Sequence, residues 1–253
     1  MTNSEQILVT CSQGVMQIGI NRPEKKNALD RVMYETLCEA LGLAGRDPNI
    51  KVVLLHGSDE VFSAGNDLAD FDNRDLVQRS PASQFVEELH QFKKPVVAAV
   101  SGLAVGIGTT LLLHCDLVYA TPDTRFRLPF VDLGVCPEAG STLLLPLLAG
   151  HRKASELLLL GDFFDTQTAI DASIVNQAVA GEELMGFAYN QAVALAEKPN
   201  IALMTTKRLL KQSQYQSLQV RMTEEFSLFS QMLQSLESRS ARQKLQQQIK
   251  NRV

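Results

Sequence analysis

Val61-Phe62-Ser63-Ala64-Gly65-Asn66-Asp67-Leu68 follows an apolar run of strand type, Val52-Val53-Leu54-Leu55-His56. A second stretch, Ala99-Val100-Ser101-Gly102-Leu103-Ala104-Val105-Gly106-Ile107-Gly108, repeats the plan after Pro95-Val96-Val97-Ala98. Short continuous apolar runs of this kind suit strands buried on both faces. Each glycine-bearing stretch then leads into an apolar segment able to begin a helix. Glycine lets main chain turn sharply or approach a ligand closely, because no Cβ intervenes. The first donors of a helix have no intrahelical partner, so two such turns can aim N–H groups at one oxygen.

Outward from these two turns, the same alternation continues. Residues 6–11 and 15–20 are short apolar stretches around Ser12-Gln13-Gly14, which reads as a hairpin. Asn21 to Asn27 is a polar turn, after which Asp30 is suited to cap a helix carrying Met33, Leu37, Leu41 and Ala44 on one face. Residues 71–80 are polar and irregular, 84–92 read as a helix, and Pro95 closes it before the next strand. Leu111-Leu112-Leu113 reads as buried helix and 116–120 as strand. Phe126, Pro129, Phe130 and Leu133 lie in an irregular segment. Helices are predicted over 141–148, 153–160 and 166–172, with an edge strand over 174–179. The rest is helical by pattern: 182–197, 201–212, 215–235 and 239–250. Strands alternating with helices before an all-helical end indicate an α/β fold with a helical C-terminal region. The division expected is a core over residues 1–197 and a helical oligomerisation region over 198–253.

Composition narrows the function classes. The chain has 253 residues, 45% hydrophobic, enough for a sizeable core. Its four cysteines show no Cys-x-x-Cys spacing, so neither a metal site nor a disulfide framework is expected, and reduced thiols suit a cytoplasmic protein. The N-terminus lacks the basic-then-apolar order of a signal peptide, and no apolar run approaches a membrane span. A net charge of −4 disfavours a general nucleic-acid binder. The charge is uneven: residues 198–253 carry ten Lys and Arg against three Asp and Glu. Such a basic end suits either a polyanionic ligand near a subunit boundary or simply solvated helix faces.

Phe62-Ser-Ala-Gly-Asn-Asp-Leu68, Ala99-Val-Ser-Gly-Leu-Ala-Val-Gly-Ile-Gly108 and Cys115-Asp-Leu-Val-Tyr-Ala120, in that order and spacing, resemble the crotonase (enoyl-CoA hydratase/isomerase) superfamily. The resemblance runs from about Asn21 to about Val179. It implies a ββα spiral core, C-terminal helices packed on neighbouring subunits in a homotrimer or hexamer, and an acyl-CoA substrate. It also implies fatty-acid β-oxidation chemistry with CoA as part of the substrate, no separate cofactor, and no nucleic-acid or membrane partner.

Carried over from the family, the N–H groups of Asn66 and Ile107 form an oxyanion hole for the thioester enolate. Fixed donors of this kind need no reorganisation, and losing one typically costs about 2.7–4 kcal/mol of transition-state stabilisation. The resemblance sets the CoA adenine against the backbone of Ala64, Gly65, Asn66, Asp67 and Leu68, and Ala28 near the pantetheine. Lys25, Lys26 and Arg22 are candidates for the phosphates, since a cation and a phosphate make short charge-assisted hydrogen bonds.

The acid/base group decides the reaction. Family hydratases use two glutamates, yet Thr110 and Phe130 occupy those positions here. The remaining carboxylate is Glu138, in Cys136-Pro137-Glu138-Ala139-Gly140, a placement similar to that in peroxisomal-type Δ3-Δ2-enoyl-CoA isomerases. Asp132 is its rival. The expectation is therefore an isomerase with Glu138 as sole proton carrier. A hydratase or another CoA-ester enolate enzyme remains as an alternative, as does a non-catalytic acyl-CoA scaffold. Gly106-Ile-Gly108 lacks the third glycine of a dinucleotide fingerprint, and His114 in its Leu-rich run reads as a structural hydrogen-bonder.

Overall fold

The computed structural model describes residues 5–71 and 80–250. Strands β1 (Ile7–Ser12) and β2 (Val15–Ile20) form an antiparallel hairpin. Its turn residues Gln13 and Gly14 both have positive φ, 51° and 76°. That is the pattern of a turn whose twist matches the flanking strands. Helix α1 (Arg31–Arg46) begins where Asp30 accepts the Met33 N–H at 3.0 Å. It leads to β3 (Val52–His56), then α2 (Pro81–Gln91) and β4 (Val96–Val100). The polar stretch between Phe71 and Ser80 lies, but for those two residues, outside the described ones.

β5 (Leu103–Val105) precedes α3 (Ile107–Thr110), which continues as a 3₁₀ turn over Leu111–His114 before β6 (Leu117–Ala120). β7 (Arg125–Arg127) and β8 (Phe164–Asp165) flank a 3₁₀ turn, Val131–Leu133, and helix α4 (Ser141–Ser155). α5 (Thr166–Asp171), β9 (Gln177–Ala178) and α6 (Gly181–Ala196) follow. The chain closes with α7 (Asn200–Gln212), α8 (Tyr215–Leu233) and α9 (Leu236–Lys250).

The larger sheet runs β1-β2-β3-β4-β6-β9, parallel from β2 onward. Its period-2 side chains serve two cores. Val53, Leu55, Val96, Ala98 and Val100 face the main core with α1 and α2, while Val52, Leu54, Val97 and Ala99 face Leu184, Ala188 and Ala192 of α6. Burial on both faces explains why these strands read as unbroken apolar runs.

A second sheet, β5-β7-β8, stands apart and is absent from the sequence reading. Two of its strands have three residues and one has two, too short for a period to register. The helices expected over 141–148 and 153–160 are joined around Gly150, whose φ of 77° and ψ of 158° break the helix. Residues Glu156–Leu160 finish as a π-helical turn. The edge strand expected over 174–179 shrinks to two residues. Phe229 and Leu233 of α8 are buried in this chain's own core, whereas Leu228, Met232 and Leu236 are exposed. Among the described residues no helix is long and apolar enough to cross a membrane.

Candidate active site

Three segments distant in sequence meet at one place. The loop after β3 is stitched to the turn after β2: the Ala64 N–H donates to Lys26 O at 2.9 Å and the Leu29 N–H to Gly65 O at 2.8 Å. Buried Asn27 secures the same junction, its Nδ2 donating to Val61 O at 2.8 Å. The loop also pairs with β5, for the Ser63 N–H donates to Leu103 O and the Val105 N–H to Ser63 O.

Two glycines make that approach possible. Gly65 has φ of +92°, and a Cβ there would lie 2.6 Å from Val105 O. A Cβ on Gly108 would lie 2.7 Å from Ser63 O. The main chain around Asn66 is thereby pressed against the start of α3. Ile107 is the first residue of that helix, so its N–H lacks an intrahelical acceptor. Among the described residues neither the Asn66 N–H nor the Ile107 N–H has a hydrogen-bond partner. Two such donors at a buried helix start can receive an oxygen that gains negative charge.

Glu138 reaches the same place from the segment before α4. It is 3% exposed, and the Asn66 Nδ2 lies 3.4 Å from its Oε1. Asn66 is itself oriented by Tyr34 of α1, whose hydroxyl donates to Asn66 Oδ1 at 2.6 Å. One asparagine thus offers its main chain to one function and its side chain to the neighbouring carboxylate. Tyr34 escaped the sequence reading; its signal was a hydroxyl on the buried face of α1, beside Met33 and Leu37.

The residues around Glu138 are held tightly. Ser141 donates its Oγ to Glu138 O at 2.7 Å. His114 Nε2 lies 2.8 Å from Ala139 O, and a carbonyl can only accept, so this nitrogen carries the hydrogen. Burial, then the Lys211 charge, pushes His114 down to about 3, so the ring is neutral at pH 7. The reading of His114 as a structural hydrogen-bonder agrees with this contact. Burial pushes the Cys136 thiol up to about 11, with the Glu225 charge adding to it, so it stays protonated beside the site.

The other named residues are placed as follows. Thr110 is fully buried one turn into α3, and among the described residues its hydroxyl has no partner; Phe130 is buried at the head of the 3₁₀ turn. Asp132 is exposed and pairs with Arg127 at 2.9 Å. Lys25 and Lys26 are exposed beside the 64–68 loop, Ala28 is buried under it, and Leu68 begins a 3₁₀ turn. Asp67 and Arg22 are instead committed to one another. The guanidinium lies 2.9 Å from Asp67 and 3.4 Å from Asp30, and donates to Ala28 O at 3.0 Å. The Arg22 charge is thus met inside the chain by Asp30 and Asp67.

The family profile described as Enoyl-CoA hydratase/isomerase matches residues 10–251. The chain is 34% identical over 227 residues to 2,3-dehydroadipyl-CoA hydratase of Escherichia coli (strain K12), covering 89% of each. It is 32% identical over 222 residues to enoyl-CoA delta isomerase 2 of Rattus norvegicus, covering 85% of this chain and 56% of that protein. The solved structure of Pseudomonas aeruginosa OdaA, 42% identical, matches with a TM-score of 0.92 over 94% of this chain and 97% of that one.

Proposed function

Because the chain belongs to the enoyl-CoA hydratase/isomerase family of the crotonase superfamily, we propose that it is a Δ3-Δ2-enoyl-CoA isomerase working through one carboxylate. The observation that carries this reading is the contact between Glu138 and Asn66, whose own N–H has no hydrogen-bond partner among the described residues. Glu138 takes a proton from C2 of a 3-enoyl-CoA, and the electron pair moves through the C2–C1 bond onto the thioester oxygen. The Asn66 and Ile107 N–H groups hold that oxygen as a dienolate. Glu138 then returns the proton at C4, leaving the double bond between C2 and C3. The CoA adenine lies along Ala64 to Leu68 with its phosphates toward Lys25 and Lys26, and no cofactor is required.

The similarity to the Escherichia coli hydratase favours a second reading, water addition to a 2-enoyl-CoA. Thr110 and Phe130, at the two hydratase glutamate positions, offer no carboxylate to activate that water. Incubation with a 3-enoyl-CoA and, separately, a 2-enoyl-CoA distinguishes the readings. Double-bond migration is expected in the first and little 3-hydroxyacyl-CoA in the second. Glu138→Gln should lower isomerisation by 10²–10⁴-fold, the usual weight of a general acid–base group, while Asp132→Asn costs far less. Isomerisation that survives Glu138→Gln would sink the single-carboxylate mechanism.

The same family membership supports a homotrimer or hexamer. Leu147, Leu148, Leu159 and Leu160 are 44–65% exposed on and beside the second half of α4, an apolar cluster that a neighbouring copy would cover. Sedimentation at micromolar concentration should give a trimer or hexamer; a monomer alone would exclude this assembly.

A further inference from the structure

Ala139 and Gly140 both adopt left-handed backbone, with φ of 62° and 69°. For an alanine that conformation costs of order 1–3 kcal/mol and persists only when neighbours impose it. It separates Glu138 from helix α4, so it sets the direction from which the carboxylate enters the site. The helix start also lacks an ordinary cap, because Gly140 at the N-cap has no side chain.

The missing acceptor comes from α8. Glu225 accepts the Gly140 N–H at 2.6 Å through Oε2. Its Oε1 accepts the Thr142 N–H at 3.0 Å and the Thr142 hydroxyl at 2.5 Å. The carboxylate is 3% exposed, on the face of α8 that otherwise buries Leu218, Met222, Phe229 and Leu233. A Cβ on Gly140 would lie 2.2 Å from Leu218 Cδ1, so α8 lies directly against the strained pair. Burial raises the Glu225 pKa, and the hydrogen bonds from Thr142 and Gly140 oppose that rise. A buried carboxylate is tolerated when its oxygens are fully engaged, and helix N-terminal donors are suited to engage it.

We infer that Glu225 is a positioning residue for the reaction: by holding Gly140 and Thr142 it fixes the strained turn that aims Glu138 at the Asn66 amide. This inference rests on the role of Glu138 proposed above. Glutamine is nearly isosteric at position 225 but presents an NH₂ in place of one oxygen. Facing an N–H on either side, it forfeits at least one of the two main-chain contacts. The CoA ester is held elsewhere, along residues 64–68 and the two oxyanion donors, so loss of aim should fall on turnover and not on binding.

The test measures steady-state isomerisation by wild type, Glu138→Gln, Glu225→Gln and Thr142→Val, each normalised to folded protein. Glu225→Gln is expected to lower kcat about tenfold or more with KM within twofold of wild type. Thr142→Val, which keeps the Thr142 N–H contact but removes the hydroxyl's bonds to Glu225 and from Arg221 at 3.3 Å, is expected to lower kcat severalfold with KM again unchanged. A purely structural role would reduce the folded fraction and melting temperature yet leave kcat per folded molecule unchanged, and that result overturns the inference. If Glu225→Gln fails to fold, Thr142→Val decides by the same split. Full activity of Glu138→Gln overturns the proton-carrier reading and this inference with it. Loss of activity in Glu138→Gln alone, with both other variants at wild-type kcat, overturns only the inference.

Discussion

At the scale of single residues, three kinds of position build the candidate site: glycines that let backbones touch, a carboxylate that is nearly excluded from water, and polar side chains beside it. Gly65 belongs to the first kind, because both its φ of +92° and its approach to Val105 O exclude a side chain. Asn66 and Tyr34 belong to the third. Lys25 and Lys26 are different, being exposed and, among the described residues, without an ion-pair partner. If they meet the CoA phosphates, Lys25→Ala combined with Lys26→Ala should raise the Kd for a CoA ester severalfold at low ionic strength and less at high salt, where exposed charges are screened. Titration calorimetry at two salt concentrations checks this. Equal affinity of variant and wild type at low salt would assign both lysines to solvent.

At the scale of elements, legibility followed length and pattern. β3 and β4 were readable because burial on both faces makes them continuously apolar, and α1 because Asp30 caps a helix with a regular apolar face. β5, β7 and β8 were not, since two or three residues carry no period; they exist because the loops around them are pinned, as by the Ser63–Leu103 pairing. The break in α4 had a visible cause in Gly150, whereas its cap did not. Glu225 lies 83 residues away from Thr142 and announces itself only as one acid among apolar positions on α8. Lys207 of α7 repeats the theme, its Nζ meeting Asp116 at 2.6 Å across the same boundary.

At the scale of the whole molecule, the last helices and the core share buried titratable groups, and this sets an acid limit to stability. Burial, then Lys211, lowers His90 from 6.5 to about 4, and the same causes lower His114 from 6.5 to about 3. His90 stacks on Tyr215 of α8 at 5.2 Å and meets His114 edge-on at 5.6 Å. Both rings are neutral when folded and become protonated on unfolding below about pH 6.5, so the unfolded chain binds more protons there. Stability therefore rises with pH in that window and falls as pH drops from 6.5 toward 4. Glu225 and Asp70, whose pKa values burial raises, act in the opposite sense. Urea midpoints should decline from pH 6.5 to 4.5, with His114→Gln flattening the decline while still donating to Ala139 O. An unchanged slope in that variant would show that His114 is not a source of the acid sensitivity.

The sequence by itself determined the alternating α/β core, the two glycine-bearing turns and the helical end. Those features reside in local pattern, where strand burial, capping and glycine leave marks within a few residues. Only the tertiary structure decided what surrounds Glu138, which the family resemblance had singled out. The separation of 72 residues from Asn66 to Glu138, that of 85 from Gly140 to Glu225, and the pairing of Arg22 with Asp67 are matters of chain return. A buried polar group must find its partner wherever packing brings one, and nothing in the neighbouring sequence records which partner that is.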